Sequence, residues 1–79
     1  MNVLLFGITR DITGQSRLTV PADAGINTVA GLKDWLGVHY PGFKQLKSLA
    51  IAVDNEYAND EDAIGPAQEI ALIPPVSGG

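Results

Sequence analysis

Seventy-nine residues, 46% of them hydrophobic and 18% charged, have the composition of one small globular domain and exclude a disordered chain. No apolar run approaches the roughly 18 residues of a membrane span, and the absence of cysteine excludes disulfides, thiolate metal sites and cysteine nucleophiles. Nine acidic against five basic residues give a net charge of −4, the wrong balance for a nucleic-acid binder, which needs a basic face to displace phosphate counterions.

In chain order, the apolar run Asn2–Ile8 predicts a first strand. Asp11-Ile12-Thr13-Gly14-Gln15-Ser16 is turn chemistry, with Gly14 suited to a positive φ. Arg17-Leu18-Thr19-Val20 alternates polar and apolar residues up to Pro21, as a half-buried second strand does, so the N-terminal part is expected to be a hairpin. Thr28 is a candidate N-cap for a helix whose stripe is Val29, Leu32, Leu36 and His39 or Tyr40, stopped by Pro41-Gly42. Gly31 and Gly37 weaken that helix, so tertiary packing must hold it.

Leu49–Val53 predicts a third strand, Asp54-Asn55-Glu56 a turn and Tyr57-Ala58 a short extended return. Residues 59–68 are polar and irregular, and Glu69–Ile73 predicts a last strand ended by Pro74-Pro75. The order ββαβ(β)β gives an α+β domain: a mixed sheet with one main helix on one face.

One helix covers one face. Because strand side chains alternate, Val3 and Leu5 oppose Leu4 and Phe6, and Ile70 and Leu72 oppose Ala71 and Ile73. Whichever face the helix takes, the other keeps apolar side chains, a pattern that fits a partner-binding patch. A chain this short has little core to spare for lining a catalytic pocket, so a module working with a partner is expected. The scattered basic residues Arg10, Arg17, Lys33, Lys44 and Lys47 promise no basic face, and an acidic domain suits a basic partner. The N-terminal stretch lacks the basic n-region and long h-region of a signal peptide, so a cytoplasmic protein is expected.

The sequence ends Pro74-Pro75-Val76-Ser77-Gly78-Gly79. Two prolines stiffen the exit from the sheet, and from Val76 onward the extended chain reaches about 13–14 Å. Gly-Gly has no side chain to obstruct a narrow channel, so this end suits threading into another protein. A frayed terminus or a tag remnant has the same composition.

With the strand and the two prolines before it, this terminus resembles that of the molybdopterin synthase small subunits, the ubiquitin-like β-grasp sulfur carriers of the MoaD family. The resemblance extends over essentially the whole chain. Val3-Leu4-Leu5-Phe6 followed by Arg10-Asp11 is similar to the family's opening strand and its basic–acidic pair, Thr28-Val29 through Leu32 to its helix start, and Ala52-Val53-Asp54-Asn55-Glu56 to its third strand and turn. Gly65-Pro66-Ala67-Gln68-Glu69 departs from the family's acidic turn before the last strand.

The resemblance implies a β-grasp domain over residues 1–75 and a flexible tail over 76–79. It implies that Gly79 is the site of adenylation and thiocarboxylate formation, with Gly78 giving clearance, and that sulfur passes to a cyclic pyranopterin phosphate in molybdopterin synthesis. The implied partners are the large catalytic subunit of molybdopterin synthase, in a heterotetramer, and an adenylyltransferase similar to ubiquitin-activating enzymes. Partner contacts are implied at Phe6, Tyr57 and Ile73 and along Pro74, Pro75, Val76 and Ser77. No cofactor or metal is expected on this chain. With neither a phosphate-cradling loop nor a basic cluster, ATP is expected to be used by the activating partner. A carrier for thiazole synthesis, a ubiquitin-like protein modifier and an interaction domain without chemistry are the alternatives. The acidic loop (Asp54, Glu56, Asp60, Glu61, Asp62) lacks calcium-loop spacing and reads as solvated, Trp35 reads as packing, and His39 suits a helix C-terminus.

Overall fold

The computed structural model describes residues 1–46, 48–65 and 68–74. These form five strands, β1 (Asn2–Leu5), β2 (Arg17–Thr19), β3 (Ala50–Val53), β4 (Glu56–Ala58) and β5 (Ile70–Ile73), and two α-helices, α1 (Ile8–Thr13) and α2 (Val29–His39). Short 3-10 turns at Ala22–Ala24 and Pro41–Gln45 flank α2. The strands make one mixed sheet in the order β2-β1-β5-β3-β4, with β1 and β5 parallel at its centre and the other neighbours antiparallel. This is the ubiquitin-like β-grasp arrangement.

Register decides which side chains meet. Val3 pairs with Leu18 and Ile70, Leu5 with Leu72, and Ile51 with Leu72. These residues therefore share one face, and all are buried in a single cluster with Val29, Leu32 and Leu36 of α2, and with Val20, Phe43 and Ile64. The expected stripe is thus the contact face of α2, with Tyr40 rather than His39 adding to it; His39 is exposed and stacks at 4.1 Å on Trp35, which packs against the core.

The N-terminus of α2 is closed by identifiable partners. Thr28 Oγ1 accepts from the Gly31 N–H at 3.1 Å, as an N-cap should. The carbonyls of Asp62 and Asp60 accept from the Val29 and Ala30 N–H groups at 3.1 and 2.9 Å. The polar stretch 59–65 is therefore a capping strap, and the Ile64 side chain is buried beneath it. Periodicity missed that residue because one apolar side chain in a polar stretch makes no pattern.

The expected N-terminal hairpin is modified. β1 and β2 do pair, antiparallel, but β1 stops at Leu5, and Ile8–Thr13 is helical where strand and turn were expected. Four of those six residues are β-branched, so strand propensity misled. Gly7 turns the chain at φ 55°, ψ −128°. Thr9, the one fully buried polar residue among those described, accepts from the Phe6 N–H at 2.9 Å and donates to the Phe6 carbonyl, fixing the break. Gly14 closes α1 at φ 73°, as its sequence context requires. Asp54 and Asn55 both adopt positive φ (51° and 70°), the two-residue turn that matches the twist of a hairpin.

Leu36→Ala, at a fully buried position, should cost about 3 kcal/mol, and Thr28→Ala about 1 kcal/mol; urea unfolding with an unchanged m-value checks both.

Candidate functional site

Burying Val3, Leu5, Ile70 and Leu72 against α2 forces their neighbours outward. Leu4 pairs with Arg17 on one side and Ala71 on the other; Ala71 pairs with Ala52, and Ala52 with Tyr57. One continuous row, Arg17–Leu4–Ala71–Ala52–Tyr57, thus crosses the face away from α2. Ile73 pairs with Ala50 in the same face, and Phe6, just past the end of β1, lines a hollow together with Leu4 of that face. Alanines at 50, 52 and 71 leave a low floor between larger side chains.

The three apolar residues implied as partner contacts fall on this face but not as one cluster. Phe6 and Ile73 stand near the end of the β1–β5 pair, with Phe6 50% exposed and Ile73 half-buried. Tyr57, 77% exposed, stands on β4, two strands from Ile73 and three from β1, which separates it from Ile73 by about 10 Å across the sheet at the usual strand spacing. Alternation in Ala50-Ile51-Ala52-Val53 carries the signal for Ala50 and Ala52, which sequence reasoning left out because alanine marks neither face strongly.

Pro74 follows β5 and lies against the Phe6-Gly7 turn: a Cβ added to Gly7 would sit 3.2 Å from Pro74 Cγ. The bend after β1 and the exit from β5 are therefore in contact. Pro75, Val76, Ser77, Gly78 and Gly79, the remaining predicted site residues, lie outside the described residues.

Charge is distributed unevenly. Arg10 and Arg17, the only two arginines of the chain, line one hollow beside Leu4 and Phe6, so folding gathers basic groups that looked scattered in sequence. At the opposite edge Asp54, Glu56 and Asp62 surround a hollow beside Tyr57. Asp54 also ties this edge to the last strand, its carboxylate accepting from the Glu69 N–H at 2.9 Å. The Lys33–Asp60 ion pair, 2.7 Å long, is largely solvent-exposed and adds little stability. Among the described residues no group of three or more His, Asp or Glu is placed to hold a metal ion, and no helix is long and apolar enough to cross a membrane.

Gly7→Ala should destabilise by about 2 kcal/mol, through a backbone conformation closed to side chains and the approach of Pro74. Gly14→Ala, with open space around it, should cost about 1 kcal/mol. Thermal unfolding of the two variants checks that order.

Comparison with known proteins places the chain in a family. The model of the ThiS family matches residues 3–79. A molybdopterin synthase sulfur carrier subunit from Arabidopsis thaliana is 35% identical over 80 residues, covering 100% of this chain and 82% of the relative. Another from Chlamydomonas reinhardtii is 30% identical over 81 residues, covering 100% and 98%. Among solved structures, SAMP1 from Haloferax volcanii superposes with a TM-score of 0.78 at 26% identity, covering 99% of this chain and 97% of that one. With a family model spanning nearly every residue and full-chain relatives of one kind, on a β-grasp sheet, the chain belongs to the ThiS family, among the molybdopterin synthase sulfur carriers.

Proposed function

We propose that this chain carries sulfur as a thiocarboxylate on Gly79 and delivers it to a cyclic pyranopterin monophosphate during molybdopterin synthesis. The observation that carries the reading is the full-chain likeness to molybdopterin synthase sulfur carrier subunits, in a sequence that ends Gly78-Gly79. A carboxylate is a poor electrophile, so its oxygen must first attack the α-phosphate of ATP, releasing pyrophosphate and leaving an acyl adenylate. Sulfide-level sulfur, as hydrosulfide, then displaces AMP at the carbonyl carbon and leaves the thiocarboxylate. The adenylylating partner supplies the ATP site, and the large subunit of molybdopterin synthase supplies the pocket in which sulfur leaves Gly79.

Within this scheme the domain has two tasks. Its open apolar face docks on the partner through Phe6, Ile73 and Tyr57, and Pro74-Pro75 limits the conformations the tail gives up on insertion. Gly78 lets the terminus pass a narrow channel. A protein-modifier role is the second reading, favoured by the likeness to SAMP1; it predicts an isopeptide bond from Gly79 to lysine in place of sulfur delivery.

Co-expression with the activating partner and a sulfur source should shift the mass by one oxygen exchanged for sulfur, localised to Gly79 by fragmentation. An unshifted mass with an active partner rejects the carrier reading. Deleting Gly79 should abolish sulfur transfer while leaving the circular dichroism spectrum and unfolding midpoint unchanged. Phe6→Asp or Ile73→Asp should weaken binding to the large subunit by about 2 kcal/mol, measured by titration calorimetry.

A further inference from the structure

We propose that Arg10 and Arg17 form a carboxylate-binding hollow at the β2 edge of the open sheet face, and that the protein partner docking on this face places an acidic side chain in it. The proposal rests on the reading of that face as the docking surface and adds the chemistry of the partner's anchor and the orientation it imposes.

The hollow, about 470 Å³, is lined by Leu4, Leu5, Phe6, Arg10, Ser16 and Arg17. Arg17 is the cross-strand partner of Leu4, so its side chain rises from the open face. Arg10 arrives from α1, which the Gly7 bend folds back beside the end of β1. Both arginines are exposed, and among the described residues neither has a carboxylate within 4 Å; the ion pair there is Lys33–Asp60, on other elements. Two forked guanidinium groups over an apolar floor suit a planar carboxylate, which they bind through paired N–H donors. A partner lying on the face excludes water from that floor and strengthens the contact.

The geometry favours a carboxylate over a phosphate group. Phosphate sites draw on free backbone N–H groups, and here those of Leu5 and Phe6 are taken, by the Ser16 carbonyl at 3.0 Å and by Thr9 Oγ1 at 2.9 Å. It also favours another protein over a second copy, because chains of net charge −4 repel one another. The hollow continues the apolar floor through Leu4 and Phe6, so one partner covers both. A basic pair at one edge of the face, with no basic counterpart among the described residues beside Tyr57 at the other, leaves a single docking orientation favoured.

The test uses the full chain and the purified large subunit of molybdopterin synthase from the same organism, with affinity measured at low and high salt. Arg17→Glu and Arg10→Glu should each weaken binding about tenfold at low salt, with a smaller loss at high salt. Arg17→Gln, which keeps the size without the charge, should lose less. Lys44→Glu, the same charge change on the helix side, should leave affinity unchanged. Equal affinity for Arg17→Glu and the parent chain, alongside weakened Phe6→Asp, overturns the hollow and leaves the docking face standing. If Phe6→Asp is also without effect, the docking reading falls too. ATP binding to the free chain that Arg17→Glu removes, or a dimer of the chain that it dissolves, would give the hollow another occupant and overturn the proposal.

Discussion

The parallel pairing of β1 with β5 is the constraint on which the rest of the molecule depends. It joins the first strand of the chain to the last, sets Val3 against Ile70 and Leu5 against Leu72, and supplies the centre of the surface that α2 covers. Since side chains alternate along a strand, a slip of one residue would turn the entire apolar set outward and unseat the helix. The same alternation that fills the core fixes the opposite face. Leu4, Ala71 and Ile73 are turned from the core because their neighbours are buried in it, so the candidate docking surface is a geometric consequence of the core.

The second constraint is the closure of α2. A helix containing Gly31 and Gly37 is weak by propensity, and it stands because its stripe is buried and its N-terminal donors are met by Thr28, Asp60 and Asp62. The strap at 59–65 links helix to sheet: its backbone caps α2 while Ile64 enters the core. Acidic side chains are left in solvent along it. They lend the β4 edge its negative charge without taking part in the packing.

The third is the join between the start of α1 and the end of β5. Thr9 fastens the bend after β1 through both its hydroxyl functions, and Gly7 lets Pro74 come close. This bend turns α1 so that Arg10 lines the same hollow as Arg17. A chain of net negative charge thereby acquires a basic corner at the rim of its apolar face. Phe6 stands between that corner and Ile73, which makes it the residue shared by the apolar and the charged parts of the surface.

Much of this was legible in the residues. The stripe Val29, Leu32, Leu36, the cap at Thr28, the turn at Asp54-Asn55 and the two faces of β1 and β5 follow from periodicity and turn chemistry, which act over a few residues and are written locally. The family resemblance, carried by the opening strand, the third strand and the Gly-Gly end, was likewise present in the sequence. Other features were not local. The helical form of Ile8–Thr13 is imposed on β-branched residues by the Gly7 bend and the Thr9 hydrogen bonds; the burial of Ile64 needs the strap to close over the core; and Arg10 and Arg17 line one hollow only because the Gly7 bend carries α1 past the end of β1. The sequence by itself determined which side chains had to be buried and which face had to stay apolar, since alternation and helical period are properties of a single element. Only the tertiary structure decided which charges share that face, because bringing them together depends on how separate elements pack.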